Sequence, residues 1–295
     1  MKTKNLALFN IVLAIFIILW GAWVRLSGSG AGCGEHWPLC NGEVIPLEAS
    51  LKTLIEFTHR LTTGIFGITV IAQLIFSYKE FAKGHYARMA AWAVLILTII
   101  ESLIGAVLVK KGLVVDNASS ARAIVIAIHL VNTLLLMAAL VESYYLTFAK
   151  RWQKPKYKDL KYIISIIVIF MLVGASGAIA ALGNTLFPES SLMAGIAKDF
   201  DSTSHFLIQL RIYHPALALL LMGLLIRLCF KWDNLKIETR NVLGLTLVAV
   251  SWGIINWILL APSWGALIHL ALADLLWMNF IWLVLKKYLV AQANS

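Results

Sequence analysis

Apolar residues gather in eight long blocks separated by short polar stretches, at 6–26, 54–78, 89–109, 123–148, 162–182, 206–230, 242–261 and 264–285. Each block has about twenty residues or more, the length a helix needs to cross ~30 Å of hydrocarbon at a rise of ~1.5 Å per residue. In lipid every backbone N–H and C=O must find its partner within the protein, so such blocks are helices. A membrane β-barrel would show segments of about ten residues with alternating hydrophobicity, and no such segments appear. The expected fold class is all-α: a polytopic membrane protein with eight transmembrane helices.

Composition agrees. The chain is 60% hydrophobic and 14% charged, against roughly 25% charged in soluble domains, and its mean hydropathy is +0.84. The net charge of +10 does not signal nucleic acid, because the basic residues sit between the apolar blocks and mostly on one side. That side holds Lys2, Lys4, Lys79, Lys83, Arg88, Lys150, Arg151, Lys154, Lys156, Lys158, Lys161, Lys231, Lys236, Arg240, Lys286 and Lys287. The opposite loops hold Lys52, Lys110, Lys111, Arg122 and Lys198. Positive-inside bias then puts both termini in the cytoplasm of a cell-membrane protein. The first block is long enough to span, so no cleavable signal is expected.

The basic stretch 151–161 is the natural midpoint. It reads as a cytoplasmic linker between an N-terminal half at 1–150 and a C-terminal half at 162–295, each a four-helix bundle. The halves look like a weak internal repeat, as in many membrane proteins. His59 and His214 fall in the second and sixth helices, and His129 and His269 in the fourth and eighth. Of the seven histidines, these four lie inside apolar blocks, where an ionisable group is costly and marks function. All four fall within about the first ten residues of helices that run the same way, so they share the outer half of the bilayer. Two couples of facing imidazoles in a helix bundle are the geometry of bis-histidine haem ligation. Zinc is the competing metal, but it favours four tight ligands, usually with Cys or carboxylate. A proton relay without a cofactor is the third reading.

Glu56 precedes His59 by three positions, so both lie on one helix face. It is either a carboxylate paired with Arg60 or Lys52, or a proton acceptor beside a haem edge. Its counterpart in the second half is Arg211, which suggests that the halves do different work. Arg211 suits a haem propionate, as does Arg25 at the outer end of the first helix. Pro215, next to His214, removes a backbone donor and is expected to kink the sixth helix. Glu101 and Asp274 are expected to face the bundle interior and receive no chemistry. Glu142 is expected near solvent, and Cys229 as an unpaired apolar residue.

The Gly-rich loop 28–42 carries Cys33 and Cys40 on the side where disulfides persist. A Cys33–Cys40 disulfide is the structural reading and an exposed redox thiol pair the functional one. The eleven tryptophans lie mostly near helix ends, where interfacial anchoring accounts for several.

The stretches Gly21-Ala22-Trp23-Val24-Arg25-Leu26-Ser27-Gly28-Ser29-Gly30, Cys33 with Trp37-Pro38-Leu39-Cys40, and Glu56-Phe57-Thr58-His59-Arg60 resemble the heme A synthase family over nearly the full chain. That resemblance implies an oxidoreductase that converts a methyl group of haem O to the formyl group of haem A, with oxygen derived from water. It implies haem O between His59 and His129, Glu56 as the catalytic carboxylate, and a haem B cofactor, with its iron, between His214 and His269. Electrons would pass to a quinone or another acceptor, a haem O synthase is a partner to expect, and a homo-oligomer is compatible with the family. The loop 183–204 lacks the second cysteine pair that many members carry. The alternatives are a diheme membrane cytochrome that exchanges electrons with quinone, and a proton-coupled transporter.

Overall fold

The structure, a computed structural model, describes residues 2–47, 49–152, 157–232 and 234–291. Lys154 and Lys156 of the expected linker lie outside the described residues. The helices are α1 (Lys2–Leu26), α2 (Leu51–Glu80), α3 (Tyr86–Lys110), α4 (Ser120–Tyr145), α5 (Tyr157–Leu186), α6 (Leu192–Asp199), α7 (Phe206–Gln209), α8 (Tyr213–Lys231), α9 (Lys236–Ile258) and α10 (Ser263–Tyr288). Among the described residues eight helical spans are long and apolar enough to cross a membrane, the sixth running from Phe206 to Lys231. The chain is thus a multi-pass helical membrane protein. Large apolar side chains such as Val12, Ile68, Leu103 and Ile254 are exposed around the bundle, where a soluble protein would have to hide them.

The sixth span is interrupted. A 3₁₀ turn at Leu210–Ile212 separates α7 from α8. Pro215 has no N–H to give the carbonyl four residues earlier, that of Arg211, and the backbone tightens there. The expected kink therefore lies just before His214. Unforeseen elements are the short helix α6 in the loop 183–204 and an antiparallel ribbon pairing β1 (Ala149–Trp152) with β2 (Leu289–Ala291).

Many interior positions are small: Ala7, Ala14, Ala87, Ala90, Ala91 and Ala106 are all buried. Small residues let helix backbones approach, which drives packing where lipid supplies no hydrophobic contrast. One apolar core runs through both halves, from Ala14, Phe66 and Leu140 to Phe170, Leu225 and Phe280. Trp277 in α10 joins them directly: its indole donates to the Leu134 carbonyl of α4 at 2.7 Å, and its ring packs on Phe170 of α5 at 4.7 Å. Away from the histidines, the N-terminal half has a polar cross-link. Asn10 of α1 donates to Gln73 of α2 at 2.7 Å, and Gln73 donates to Ser143 of α4 at 3.0 Å. Buried amides need partners in lipid, and here each supplies the other's.

Candidate functional site

The four intramembrane histidines sit near the N-terminal ends of α2, α4, α8 and α10, the even-numbered spans. Three are seated against glycines of the preceding span. A Cβ on Gly21 of α1 would lie 2.9 Å from His59 Cε1, one on Gly177 of α5 2.8 Å from His214 Cε1, and one on Gly253 of α9 3.0 Å from His269 Cε1. No side chain larger than hydrogen fits beneath those rings unless they move. The fourth odd span has Gly105 at the corresponding place, but nothing lies within 4 Å of a Cβ there. His129 is held otherwise: its Nδ1 stands 3.3 Å from a carboxylate oxygen of Glu101.

Two of the seats share a second device. Trp20, before Gly21, donates its indole N–H to the Ile55 carbonyl at 3.1 Å. Trp252, before Gly253, donates to the Gly265 carbonyl at 3.0 Å. Each acceptor lies four residues before the histidine. The Trp-Gly pair thus fixes the register of one helix on the next at the imidazole level. These two tryptophans act as inter-helix struts, beyond the interfacial anchoring read from their positions.

The C-terminal couple is explicit. The His214 and His269 rings lie edge-on to one another, with centroids 6.1 Å apart and planes at 83°. Rings that share one metal through nitrogens at ~2 Å each have centroids on the order of 6 Å apart, so the spacing fits an axial pair. His214 Nδ1 meets the Val173 carbonyl at 3.1 Å, which selects the tautomer that leaves Nε2 free. In the N-terminal half His59 lies within electrostatic range of His129. The Nδ1 atoms of His59, His129 and His269 are buried without an aligned hydrogen-bond partner. Among the described residues no three His, Cys, Asp or Glu side chains converge as metal ligands. A tetrahedral zinc site has no donor set here, whereas paired imidazoles are what haem iron takes.

Glu56 is buried and tied to its surroundings. One carboxylate oxygen accepts from the Cys33 N–H at 2.9 Å, the other from Arg60 Nε at 3.1 Å and Nη2 at 2.5 Å. Arg60 in turn donates to the carbonyls of His36 and Leu39, at 3.0 and 2.5 Å. Cys33 and Cys40 form a disulfide. Its loop lies flat on the start of α2, where the Thr53 hydroxyl donates to the Gly32 carbonyl at 2.9 Å. Glu56, Arg60 and the loop therefore form one unit directly beside the His59 turn.

The arginines divide the halves. Arg25 has a buried Nη1 without a hydrogen-bond partner, and another cation, Arg122, lies within electrostatic range. Arg122 is buried and donates to the carbonyls of Val115 and Asn117, at 2.5 and 2.9 Å, but its Nε is unpaired. Two buried, incompletely satisfied guanidiniums suit a ligand with two carboxylates. By its place in the sequence Arg122 counts only as a loop charge. The signal that could have found it is its position at the outer end of α4, level with Arg25. Arg211 Nη2 likewise lacks an aligned hydrogen bond, but Arg211 has carboxylates within ion-pairing distance. Its Nη2 is 2.7 Å from Asp199 and 3.5 Å from Glu189, and its Nη1 is 3.0 Å from Asn184 Oδ1.

Glu101 and Asp274 face the interior as expected, and Asp274 Oδ2 is buried without a partner. Glu142 is exposed, and Cys229 is a buried free thiol.

Fold and site together define a multi-pass helical membrane protein with two histidines fixed at matching ends of each four-span half. The chain belongs to the COX15-CtaA family of cytochrome oxidase assembly proteins, whose family model matches residues 4–281. It is 38% identical over 285 residues to a protoheme IX farnesyltransferase of Thermus thermophilus, a match that covers 94% of this chain and 46% of that protein. The chain thus spans about half the length of that relative. It is also similar to heme A synthases. The protein of Alkalihalophilus pseudofirmus is 32% identical over 174 residues, covering 57% of this chain and 56% of the relative. That of Shouchella clausii is 28% identical over 246 residues, covering 81% and 79%.

Proposed function

We propose that this protein is a heme A synthase of the cell membrane, with both termini cytoplasmic. The observation that carries the haem-binding part is the His214–His269 couple, two imidazoles with centroids 6.1 Å apart, a spacing that two ligands of one iron would have. That couple would hold a haem B, which supplies a one-electron carrier inside the membrane. His59 and His129 would hold haem O as substrate. Arg25 and Arg122 would take its propionates and so orient the porphyrin. The methyl carbon loses protons and electrons as water supplies the formyl oxygen. Glu56 is the carboxylate nearest the His59 turn that could accept a proton. A quinone or another acceptor would take the electrons. The Cys33–Cys40 loop, pinned by Glu56 and Arg60, would cap this half and keep bulk water out.

The Thermus relative bears the name of a farnesyltransferase, and more than half of it lies outside the match. A haem O synthase that hands its product to this chain is the partner that such a relative favours.

A second reading is a diheme electron carrier that leaves its porphyrins unaltered. What favours it is the engagement of Glu56 by Arg60, which makes that carboxylate a strut for the loop. Pigment extraction from the purified full chain, expressed with a haem O supply, separates the readings. Haem A in the extract is expected, and Glu56→Gln should abolish it while leaving bound-haem spectra in place. Haem B alone, with haem O supplied, would identify the electron carrier. A colourless protein would point to a proton-coupled transporter.

A further inference from the structure

The carboxylate beside His129 has no equivalent at the other three histidines. Glu101 projects from α3 one turn before Gly105. One of its oxygens accepts from Asn132 Nδ2 at 2.6 Å. The other accepts from the Thr133 hydroxyl and lies 3.3 Å from His129 Nδ1. Asn132 also donates to the Leu97 carbonyl at 3.0 Å, so the acceptor is fixed to both helices. At His269 the place one turn before Gly253 is taken by Ala249, buried and apolar. His214 has a neutral carbonyl at Nδ1; the Nδ1 atoms of His59, His129 and His269 all lack an aligned hydrogen bond, and of these three only that of His129 has a carboxylate within 4 Å among the described residues. His129 thus lacks a glycine seat and has a carboxylate in its place.

We infer that Glu101 is a positioning residue that holds the His129 imidazole by its Nδ1, presents Nε2 to the iron of the substrate porphyrin and makes that ligand the most electron-rich of the four. The inference rests on the haem-binding reading proposed above. A carboxylate at the far nitrogen of a metal-bound histidine fixes tautomer and ring orientation and raises ligand basicity. A more basic axial ligand favours the oxidised iron and lowers its reduction potential. The two halves would then hold their irons at different potentials, the N-terminal one displaced downward by Glu101. A purely structural Glu101, which ties α3 to α4 through Asn132 and Thr133, would leave the potentials where they are.

The test is a spectroelectrochemical measurement of midpoint potentials on the purified full chain, with Glu101→Gln and Glu101→Leu. Gln keeps the shape and an acceptor oxygen but drops the charge, and Leu drops both. One of the two midpoints is expected to rise in Glu101→Gln and to rise further in Glu101→Leu, with the other unmoved. In a His269→Ala background, which removes the C-terminal couple, the remaining midpoint should be the one that shifts. If Leu costs the protein its N-terminal haem, partial rescue by Gln with a raised midpoint bears the inference out. Two bound haems with both midpoints unchanged in Glu101→Gln would overturn this inference and leave the haem-binding reading standing. A chain that binds no haem would overturn both.

Discussion

In the C-terminal half both histidines press on glycines, lie edge-on with centroids 6.1 Å apart, and have their arginine already paired with Asp199 and Glu189. In the N-terminal half one histidine presses on a glycine while the other leans on Glu101. Arg25 and Arg122 there form no ion pair among the described residues, and the rim is a disulfide loop bolted to α2 through Glu56 and Arg60. On the proposed reading the C-terminal half would hold a resident cofactor, and the N-terminal half, with two arginines outside any ion pair and a carboxylate at hand, would receive and alter a dianionic ligand. The difference between the halves would then separate holding from reacting, and each half can be perturbed alone.

The largest contrast is between product and pigment. Glu56→Gln removes haem A formation altogether without emptying the C-terminal couple, as read by extracted pigment against bound-haem absorbance. Arg211→Gln and Arg25→Gln should part next. The first takes the guanidinium from Asp199, while Glu189 keeps Lys198 at 2.8 Å, and costs about 1 kcal/mol of stability, visible as a lower Tm even without ligand. The second removes a cation that forms no ion pair among the described residues, so the fold is kept and N-terminal haem retention falls several-fold. The glycine series gives the smallest and finest effects. Gly177→Ala and Gly253→Ala drive a methyl group into a histidine ring and cost about 1–3 kcal/mol with reduced C-terminal haem occupancy. Gly105→Ala meets open space and should be neutral or stabilising by up to ~1 kcal/mol. A Gly105→Ala that damages haem binding as much as Gly177→Ala does would erase the distinction between the two kinds of seat.

The eight spans were legible because lipid enforces one rule, uninterrupted apolar length, and the chain obeys it everywhere. Pro215 announced the break in the sixth span through its missing N–H. The even-span histidines stood out because charge-capable groups are rare in such segments. What did not show was everything set by how one helix rotates against the next. Glu101 reaches His129 from another helix, and no local period encodes that meeting. The odd-span glycines looked like ordinary small residues until their Cβ directions were known. Arg122 looked like a loop charge because burial depends on how the segment 111–119 folds over it, with Val115 at a positive φ of 52° offering its carbonyl to the guanidinium. Arg211 reads from its place beside His214 as a propionate partner, but the carboxylates it meets are Glu189 and Asp199, the latter at the end of α6, a helix too short to announce itself.

The central claim is that each half grips its own iron porphyrin between its own two histidines. Haem-to-protein stoichiometry of the purified full chain, measured for wild type, His59→Ala and His269→Ala, tests it most directly. The account predicts two haems in the wild type and the loss of a different one in each variant, with the partner's spectrum kept. A single haem lost in both variants, or a wild-type chain that purifies with none, would contradict it.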